Sequence, residues 1–456
     1  MAGLNLPLAE VLQILAPGRA CPSLSHHVKS VVVDSRQLMP GDLFFALSGA
    51  RVDGHDFLQE AVQRQACAAV VSEKFYARHA TQFSLLLIPV PDVLLALQSL
   101  ARNYLKKYCQ AKIVAITGSV GKTSTKHLTT QLVQNHLSTA FSPGNQNSQI
   151  GLSLTLLNHV QGHEELLILE MGMTGKGQIQ QLTTIAPPDI AVLTAVELVH
   201  MNELSSLQEI AEAKSEIFSH PKTQLGILPA EIAYRDLVLS AGSCKKHTFS
   251  STSSQANFFL SRQSQEFTIV DVRGQSPSLP PLPFLGGHNY QNFLAAVSVC
   301  RTLGIEWGQI KETIPTLTLP EKRLEQIMKK GILFINDSYN AALASIKAAL
   351  DSLPPPPNPS GKKIAVLGEM LELGSFSEAC HKEIGEFSLE KVDRIICFGE
   401  GCTPIEEVWK KANKPVCVLT SLEQVIDELQ RHVKSGDLVL LKGSNKKQLW
   451  EILKYF

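Results

Sequence analysis

The sequence lacks the features typical of membrane, nucleic-acid-binding and disulfide-stabilised proteins. No apolar run reaches the ~18 residues that cross a bilayer, and no basic region followed by an apolar core opens the chain. The 42 basic and 42 acidic side chains cancel, which leaves no net attraction to nucleic acid or to an anionic membrane. The nine cysteines are scattered, and the closest pair, Cys397 and Cys402, has no further zinc-ligand spacing around it. We therefore expect a soluble, cytoplasmic protein with reduced thiols.

What the sequence does contain is regular strand and helix patterning over 456 residues. At about 150 residues per domain, this length predicts three domains. We place them at residues 1–108, 109–315 and 316–456. In the third domain short apolar runs alternate with helical segments, which predicts an α/β fold with a parallel, doubly wound sheet. Its strands are expected at 332–335, 364–367, 394–398, 416–419 and 438–441, and its last helix near 446–453.

Polar residues follow the first predicted strands of the chain. Strands are expected at 31–33, 43–46, 68–71 and 85–88, and helices at 55–65 and 93–108. Asp34, Ser35 and Arg36 come directly after the first strand, as they would at the rim of a ligand site. Ordinary turns capped by Asp and Ser explain the same spacing, and that alternative stays open.

A strand, a small-residue turn and a helix follow one another around residue 118. Lys112 to Ile116 is a β-branched run, and the segment GSVGKTS at 118–124 leads into a helical pattern. Gly118 and Gly121 allow backbone N–H groups to approach a phosphate, and the helix N-terminus favours an anion. Lys122 can reach the β and γ phosphates. The segment therefore predicts a nucleoside triphosphate site formed by Gly118, Ser119, Val120, Gly121, Lys122, Thr123 and Ser124.

The match to the usual phosphate-loop pattern is incomplete, because Ile116 stands where that pattern has its first glycine. A helix start with a merely solvated Lys122 is the alternative. The strand-to-helix junction favours the nucleotide interpretation.

Glu170 and His200 also lie just past predicted strand ends, where ligands of open α/β sheets gather.

Taken together, a set of motifs along almost the whole chain resembles the Mur ligases of peptidoglycan synthesis. The set comprises GSVGKT at 118–123, GNQNSQIG at 144–151, LEMGM at 169–173, AKSEI at 213–217, GHNYQN at 287–292, DSYN at 337–340, LGEMLELG at 367–374 and KGS at 442–444, with His200 and Arg323. The resemblance implies a three-domain α/β architecture with a central P-loop-type ATPase domain and a C-terminal Rossmann-like domain. Within the family, the motifs are most similar to the member that adds D-alanyl-D-alanine to UDP-N-acetylmuramoyl-tripeptide.

This resemblance implies an ATP-dependent amide ligase. The tripeptide carboxylate would attack the γ-phosphate of ATP, and the amino group of D-alanyl-D-alanine would displace phosphate from the resulting acyl phosphate. The implied partners are these substrates, ATP and two Mg²⁺ ions. We expect no nucleic acid, no membrane insertion and a monomeric enzyme.

The resemblance also implies a role for each matching residue. Lys122, Glu170, His200, Lys214, Arg323 and Asp337 would be catalytic, and Thr123, Glu170, His200 and Lys214 would serve the metal ions, with Lys214 carbamylated. Asn289, Asn292 and Arg323 would bind the nucleotide. Ser35, Arg36, Asn145, Asn147, Tyr339 and Asn340 would bind the other substrates, with Ser35 and Arg36 on the UDP moiety.

Several positions depart from the family pattern. The family's T-N-x-G-P-A-H is TAVELVH at 194–200, so Ala195, Glu197 and Leu198 are unusual. Ala342 and Leu343 replace the usual Asn and Pro, and Lys322 replaces the usual glycine before the arginine. Two alternatives remain open at this point. One is a sibling ligase, which adds the third residue or makes folylpolyglutamate, and the other is a non-catalytic nucleotide-binding sensor of the precursor.

Overall fold

The computed structural model describes residues 6–18, 27–49, 51–199, 203–263 and 266–456. Over these residues the strands form a four-stranded, a nine-stranded and a six-stranded sheet, with a two-stranded ribbon at the start. The predicted α/β fold is confirmed, and the central and C-terminal sheets are mainly parallel. None of the described helices is long and apolar enough to cross a membrane.

The N-terminal sheet is parallel throughout, in the order β3-β4-β5-β6. Its strands are almost continuous apolar runs, as expected when helices or neighbouring domains cover both faces. The predicted helix at 55–65 is divided into a 3₁₀ turn, Gly54–Phe57, and a shorter α-helix. The elements are β1 (Leu6–Pro7), α1 (Leu8–Leu15), β2 (His27–Val28), β3 (Val31–Val32), β4 (Leu43–Phe45), α2 (Leu58–Gln63), β5 (Ala68–Ser72), α3 (Glu73–His79), β6 (Leu87–Val90) and α4 (Val93–Tyr108).

The central sheet begins with the strand that precedes the glycine-rich turn. Its elements are β7 (Lys112–Thr117), α5 (Lys122–Val133), β8 (Thr139–Phe141), α6 (Gln149–His159), β9 (Leu166–Glu170), α7 (Gln178–Ile185), β10 (Ile190–Leu193), α8 (Leu207–Ser215), β11 (Leu225–Pro229), α9 (Arg235–Ser240), β12 (Lys245–Ser250), β13 (Phe258–Gln263), β14 (Glu266–Asp271), β15 (Gly274–Gln275), α10 (Gly287–Thr302) and α11 (Trp307–Thr313). The strand order is β15-β14-β13-β12-β11-β10-β7-β9-β8. In this sheet β13 and β14 form an antiparallel pair, and β13 joins the pair to the rest of the sheet by pairing parallel with β12.

The C-terminal sheet has the order β16-β17-β21-β18-β19-β20. Its elements are β16 (Glu325–Lys329), β17 (Ile332–Asp337), α12 (Leu343–Asp351), β18 (Lys363–Gly368), α13 (Ser377–Ser388), β19 (Arg394–Phe398), α14 (Thr403–Lys411), β20 (Val416–Leu419), α15 (Leu422–His432) and β21 (Leu438–Lys442). Two predictions are corrected here. The sheet carries an antiparallel edge strand, β16, and the last predicted helix is two 3₁₀ segments, Asn445–Lys447 and Leu449–Tyr455, separated by Gln448 at φ +50°.

Candidate active site

The glycine-rich turn between β7 and α5 is closely surrounded. A Cβ atom on Gly118 would lie 1.9 Å from the Thr194 hydroxyl oxygen, and one on Gly121 would lie 2.4 Å from the Asn292 Oδ1 atom. Both glycines have positive φ angles, +150° and +87°. Glycine is therefore required at both positions, and the backbone N–H groups of the turn stay accessible to an anion at the start of α5.

The segment after β10 holds this turn in place through main-chain groups. The Ser119 N–H donates to the Ala195 carbonyl at 2.9 Å, and the Ser119 hydroxyl donates to the Glu197 carbonyl at 3.0 Å. The Thr194 hydroxyl contacts the Thr117 and Val120 carbonyls. Because Ala195 and Glu197 contribute main-chain atoms here, their departure from the family pattern leaves these bonds intact.

Lys122 lies half-buried at the start of α5. Its ammonium donates to the Gly118 carbonyl at 2.7 Å, so the side chain folds back over the turn. Burial lowers the pKa of Lys122, the Glu170 carboxylate opposes that effect, and the Arg323 charge adds to it. A lysine with few water contacts and a second cation nearby is suited to binding a polyanion.

Glu170, at the carboxyl end of β9, is buried and surrounded by polar groups. Its Oε2 atom accepts from the Thr123 hydroxyl at 3.0 Å and lies 3.4 Å from the Lys126 ammonium. Its Oε1 atom accepts from the Asn147 amide at 2.8 Å. The predicted metal residues Thr123 and Glu170 and the predicted substrate residue Asn147 are thus brought together.

Lys126 is a site residue that the sequence interpretation missed. It lies one turn beyond Lys122 on α5 and is 4% exposed. Its ammonium also donates to the Ser142 and Gly144 carbonyls at 2.7 and 2.8 Å, which fixes the loop that carries Asn145 and Asn147. The available signal was a lysine four residues after Lys122, on the same helix face.

Lys214, on α8, is deeply buried, at 1% exposure. Burial lowers its pKa well below the usual lysine range, and the Lys122 charge adds to that effect.

His200, the other predicted partner of Glu170, lies outside the described residues. Among the residues that the structure does describe, there is no group of three or more His, Cys, Asp or Glu side chains placed to hold a metal ion.

A cavity of about 650 Å³ lies on one side of the glycine-rich turn, and we call it the Asn289 cavity. The Asn292 Nδ2 atom donates to the Asn289 Oδ1 atom at 3.2 Å, and the Thr125 hydroxyl donates to the Asn292 Oδ1 atom at 3.3 Å. His288 lines the same cavity, where burial lowers its pKa to about 4. Pro229, Ile232 and Ala233 add an apolar wall.

The C-terminal domain contributes charged residues to the Asn289 cavity. The Lys442 ammonium pairs with the Asp337 carboxylate at 2.9 Å, and both side chains are buried. The Leu324 N–H donates to the other Asp337 oxygen at 3.2 Å. The Arg323 guanidinium lies 4.3 Å from the centre of the Tyr339 ring. The sequence analysis named Lys442 only as part of the KGS motif, without a role. In the structure its ammonium pairs with the Asp337 carboxylate in the wall of the Asn289 cavity.

A second cavity of about 610 Å³ lies on the other side of the turn, and we call it the Glu170 cavity. Its lining includes Leu94 at the start of α4, Glu170 at the end of β9, and residues of the loops that follow strands of the C-terminal sheet. The two cavities share Val120, Gly121, Arg323 and Ser345. The predicted site residues that line the Glu170 cavity are Ser119, Val120, Gly121, Lys122, Thr123, Asn145, Asn147, Glu170, Arg323, Tyr339 and Asn340.

Ser35 and Arg36 lie apart from both cavities. The Ser35 hydroxyl is buried and donates to the Glu60 carboxylate at 2.5 Å. Arg36 is exposed and pairs with Asp34 at 2.7 Å. Their assignment to the UDP moiety stays a prediction, in which the exposed Arg36 would reach a ligand from its pair with Asp34.

The departure at Lys322 has a physical consequence. Its φ angle is +61°, a conformation that explains why the family uses glycine there. The Lys322 ammonium lies 3.5 Å from the centre of the Trp450 ring, a contact that offsets part of the backbone strain. Arg323 keeps its place between the two cavities despite this substitution.

Fold and site together define a nucleotide-dependent enzyme whose phosphate loop lies in a cleft between two α/β domains. The Mur ligase middle domain matches residues 116–300, the Mur ligase, glutamate ligase domain matches 322–445, and the Mur ligase family, catalytic domain matches 27–105. The chain belongs to the Mur ligase family.

Individual relatives extend this assignment. The chain is 35% identical to the UDP-N-acetylmuramoyl-tripeptide–D-alanyl-D-alanine ligase of Bacillus subtilis, over 94% of this chain and 93% of that protein. The crystal structure of MurF from Acinetobacter baumannii superimposes with a TM-score of 0.87 at 25% identity, covering 100% of this chain and 99% of that one. MurF ligase from Thermotoga maritima in complex with ADP gives 0.80 at 29% identity, covering 94% and 96%.

Proposed function

We propose that this chain joins D-alanyl-D-alanine to UDP-N-acetylmuramoyl-tripeptide at the expense of ATP. The observation that carries the proposal is that two cavities meet at Gly121 and Arg323. A nucleotide in one cavity and a carboxylate in the other would react at that meeting point. The relatives named as D-alanyl-D-alanine ligases and the ADP complex of a similar chain support this arrangement.

The Asn289 cavity has the properties of a nucleoside site. Its paired asparagine amides offer donors and acceptors to a base edge, and its apolar wall can pack against a base face. The glycine-rich turn would bind the phosphates. Asp337, fixed by Lys442 and by the Leu324 N–H, presents an acceptor toward a ribose hydroxyl.

In the proposed reaction the tripeptide carboxylate lies in the Glu170 cavity and attacks the γ-phosphorus, and ADP leaves. The amino group of D-alanyl-D-alanine then attacks the acyl carbon, loses a proton and displaces inorganic phosphate. Lys122 and Arg323 flank the place where the phosphoryl oxygens gain charge. Such fixed cations stabilise the transition state more than the ground state.

The donor set around Glu170 fits Mg²⁺, which prefers oxygen ligands. The Thr123 hydroxyl and the Glu170 carboxylate lie 3.0 Å apart and would hold the metal side of the nucleotide. We expect two ions, with His200 as a further ligand of the second. When bound, Mg²⁺ supplies positive charge to the phosphoryl oxygens.

Lys214 is suited to carbamylation because its amine is buried and its pKa is lowered. Only a neutral amine adds to carbon dioxide, and the addition releases one proton. The resulting carbamate would be an anion in the electrostatic field of Lys122. It would present oxygens toward the metal side of the site in place of the positive charge of an ammonium.

One experiment tests the function against both alternatives. ADP release should require UDP-N-acetylmuramoyl-tripeptide and D-alanyl-D-alanine together, and the product should be the pentapeptide. Turnover with the dipeptide precursor and a single amino acid would instead identify a sibling ligase. Nucleotide and precursor binding without any turnover would identify a sensor.

A further inference from the structure

Arg323, which lines both cavities, lies between two residues with unusual backbone conformations. Lys322 has a φ angle of +61° and Leu324 one of +51°, in the left-handed region that residues other than glycine disfavour. The C-terminal domain holds this segment through main-chain groups. The Tyr339 N–H donates to the Lys322 carbonyl at 3.4 Å, and the Leu324 N–H donates to the Asp337 carboxylate at 3.2 Å. The direction of the Arg323 side chain therefore depends on two disfavoured conformations.

The side chains of Lys322 and Leu324 differ in what stabilises these conformations. Leu324 is 3% exposed and belongs to an apolar cluster of the C-terminal domain, so its burial offsets the strain. Lys322 is a half-buried cation, which gains no such stabilisation from burial. Its ammonium lies 3.5 Å from the centre of the Trp450 ring, and this contact joins the side chain to another part of the domain. The strain at Lys322 is therefore offset at the Trp450 ring.

Trp450 belongs to the second of the two 3₁₀ segments that follow β21. Leu449 and Ile452, on either side of it in the sequence, are fully buried in the apolar cluster on one face of the sheet. The Lys329 ammonium, on the edge strand β16, donates to the Leu453 carbonyl at 2.5 Å. The main chain that carries the Trp450 ring is therefore fixed to the body of the C-terminal domain.

We infer that Trp450 is a positioning residue for the reaction, because its ring holds Lys322 in the conformation that directs Arg323 between the two cavities. The attraction of an ammonium to a ring face is comparable in size to the cost of a left-handed conformation at a residue other than glycine. A glycine before Arg323 would need no such support, so the lysine and the tryptophan together do what a glycine does alone. This inference rests on the proposed role of Arg323 at the phosphoryl oxygens.

The first test removes either partner of the contact. Trp450→Leu should lower kcat about fivefold, the effect of losing one cation–π contact, because Arg323 then spends less time at the phosphoryl oxygens. The KM for the UDP-linked precursor should stay constant, since we place its UDP end on the N-terminal domain. Lys322→Met removes the ammonium without touching the buried residues beside Trp450, and it should have the same effect on both quantities.

A rescue by glycine separates positioning from stability. Lys322→Gly removes the need for the ring, because glycine adopts a φ angle of +61° without strain. When Lys322→Gly is already present, adding Trp450→Leu should change kcat by less than about twofold, the usual error of additivity. A ring that served the stability of the domain alone would be needed equally in both backgrounds.

The Arg323→Ala background provides the second separation. There Trp450→Leu should cause no further loss of turnover, since the side chain that the ring positions is gone. Trp307→Leu is the matched control, because the Trp307 ring lies 4.8 Å from the Arg301 guanidinium in the central domain, outside both cavities. It removes the same kind of contact and should leave kcat of the folded enzyme unchanged.

Two results would overturn the inference. The first is wild-type kcat in Lys322→Met, measured beside an Arg323→Ala variant that is impaired. The second is a loss on adding Trp450→Leu that is equally large in the wild-type, Lys322→Gly and Arg323→Ala backgrounds, which would show that the ring acts independently of Arg323. Wild-type kcat in Arg323→Ala itself would instead overturn the proposed role of that residue, and the inference with it.

Discussion

The central domain meets its two neighbours through junctions of opposite character. Toward the N-terminal domain, one continuous apolar core runs from β3 and α4 into the central sheet. The Asn158 side chain links α6 to β3 through hydrogen bonds with both main-chain groups of Val31, at 2.9 and 2.8 Å. The Tyr104 hydroxyl on α4 donates to the Val160 carbonyl at 2.7 Å. Toward the C-terminal domain, the junction is instead two cavities lined by charged and amide side chains.

This difference predicts how the domains behave. The C-terminal sheet has apolar clusters of its own on both faces, so it does not depend on the central domain for a core. Domains with separate cores and a polar interface move relative to each other by default. We therefore propose that the first two domains act as one body and that the C-terminal domain closes over the substrates. Closure would also protect an acyl phosphate from water.

The largest expected effect lies at the polar junction. Lys122→Ala should lower turnover by about a hundredfold or more, because Lys122 stabilises charge that develops on phosphoryl oxygens. The melting temperature should change little, since the hydrogen bonds of this side chain to described residues all go to the turn that carries it. Steady-state kinetics and thermal unfolding measure the two effects. Turnover within about threefold of the wild-type rate would contradict the assignment of the glycine-rich turn as the phosphate-binding loop.

The second-largest expected effect tests whether Lys214 acts as a carbamate. Lys214→Ala should lose about a hundredfold in turnover, of the order seen when a group serving a metal ligand is removed. Acetate or formate should restore part of it by returning oxygens to the site. The same additives should not rescue Lys122→Ala, which lacks a positive charge. If no carboxylate helps, and a high-resolution map of the wild type shows a bare amine with Mg²⁺ bound, the carbamate should be abandoned.

Arg323→Ala separates chemistry from precursor binding. Turnover should fall by about tenfold to a hundredfold, as expected for loss of one charge-assisted contact to phosphate. Affinity for the UDP-linked precursor should stay nearly constant, because we place its UDP end on the N-terminal domain near Arg36. Equilibrium binding of the precursor without ATP measures this second quantity. A loss of precursor affinity as large as the loss of turnover would contradict the proposal that the N-terminal domain binds the UDP end while Arg323 serves the chemistry.

The smallest expected effect lies at the apolar junction, where a substitution should lower stability and leave turnover unchanged. Asn158→Ala should lower the free energy of unfolding by about 1–3 kcal/mol, because it leaves two Val31 main-chain groups without their partner. Turnover of the folded enzyme should be unchanged. Asn103→Ala on α4 is a matched control, since that side chain is exposed and its hydrogen bonds within the described part of the chain go to Ser99 of the same helix. A loss of turnover without a loss of stability would contradict the comparison.

Local features of the fold and site could be predicted from the sequence. The phosphate loop, Glu170 at the end of β9 and the alternation of the C-terminal domain depend on patterns within a few residues, and the structure has them where the patterns indicate. The edge strand β16 could not be predicted, because half-buried and exposed residues alternate in it without an apolar face.

Features that depend on distant parts of the chain were not predictable. The pairing of Lys126 with Glu170 joins a helix to a strand 44 positions away. The spacing of Lys122 and Lys126 places both on one helix face but does not identify the carboxylate that Lys126 contacts. The contact of the Lys322 ammonium with the Trp450 ring is likewise a property of the folded chain. Ser35 faces Glu60 rather than the solvent, a direction that the spacing of a turn does not determine.

The most direct test of the account measures two distances in one protein. Fluorescent labels attached through unnatural amino acids at exposed Lys311 and Lys382 report on the polar junction, and labels at Lys74 and Lys311 report on the apolar one. With a non-hydrolysable ATP analogue and the UDP-linked precursor added together, we expect the first distance to shorten and the second to stay constant. An unchanged first distance in a mixture that turns over when ATP is supplied, or equal changes in both distances, would contradict the account.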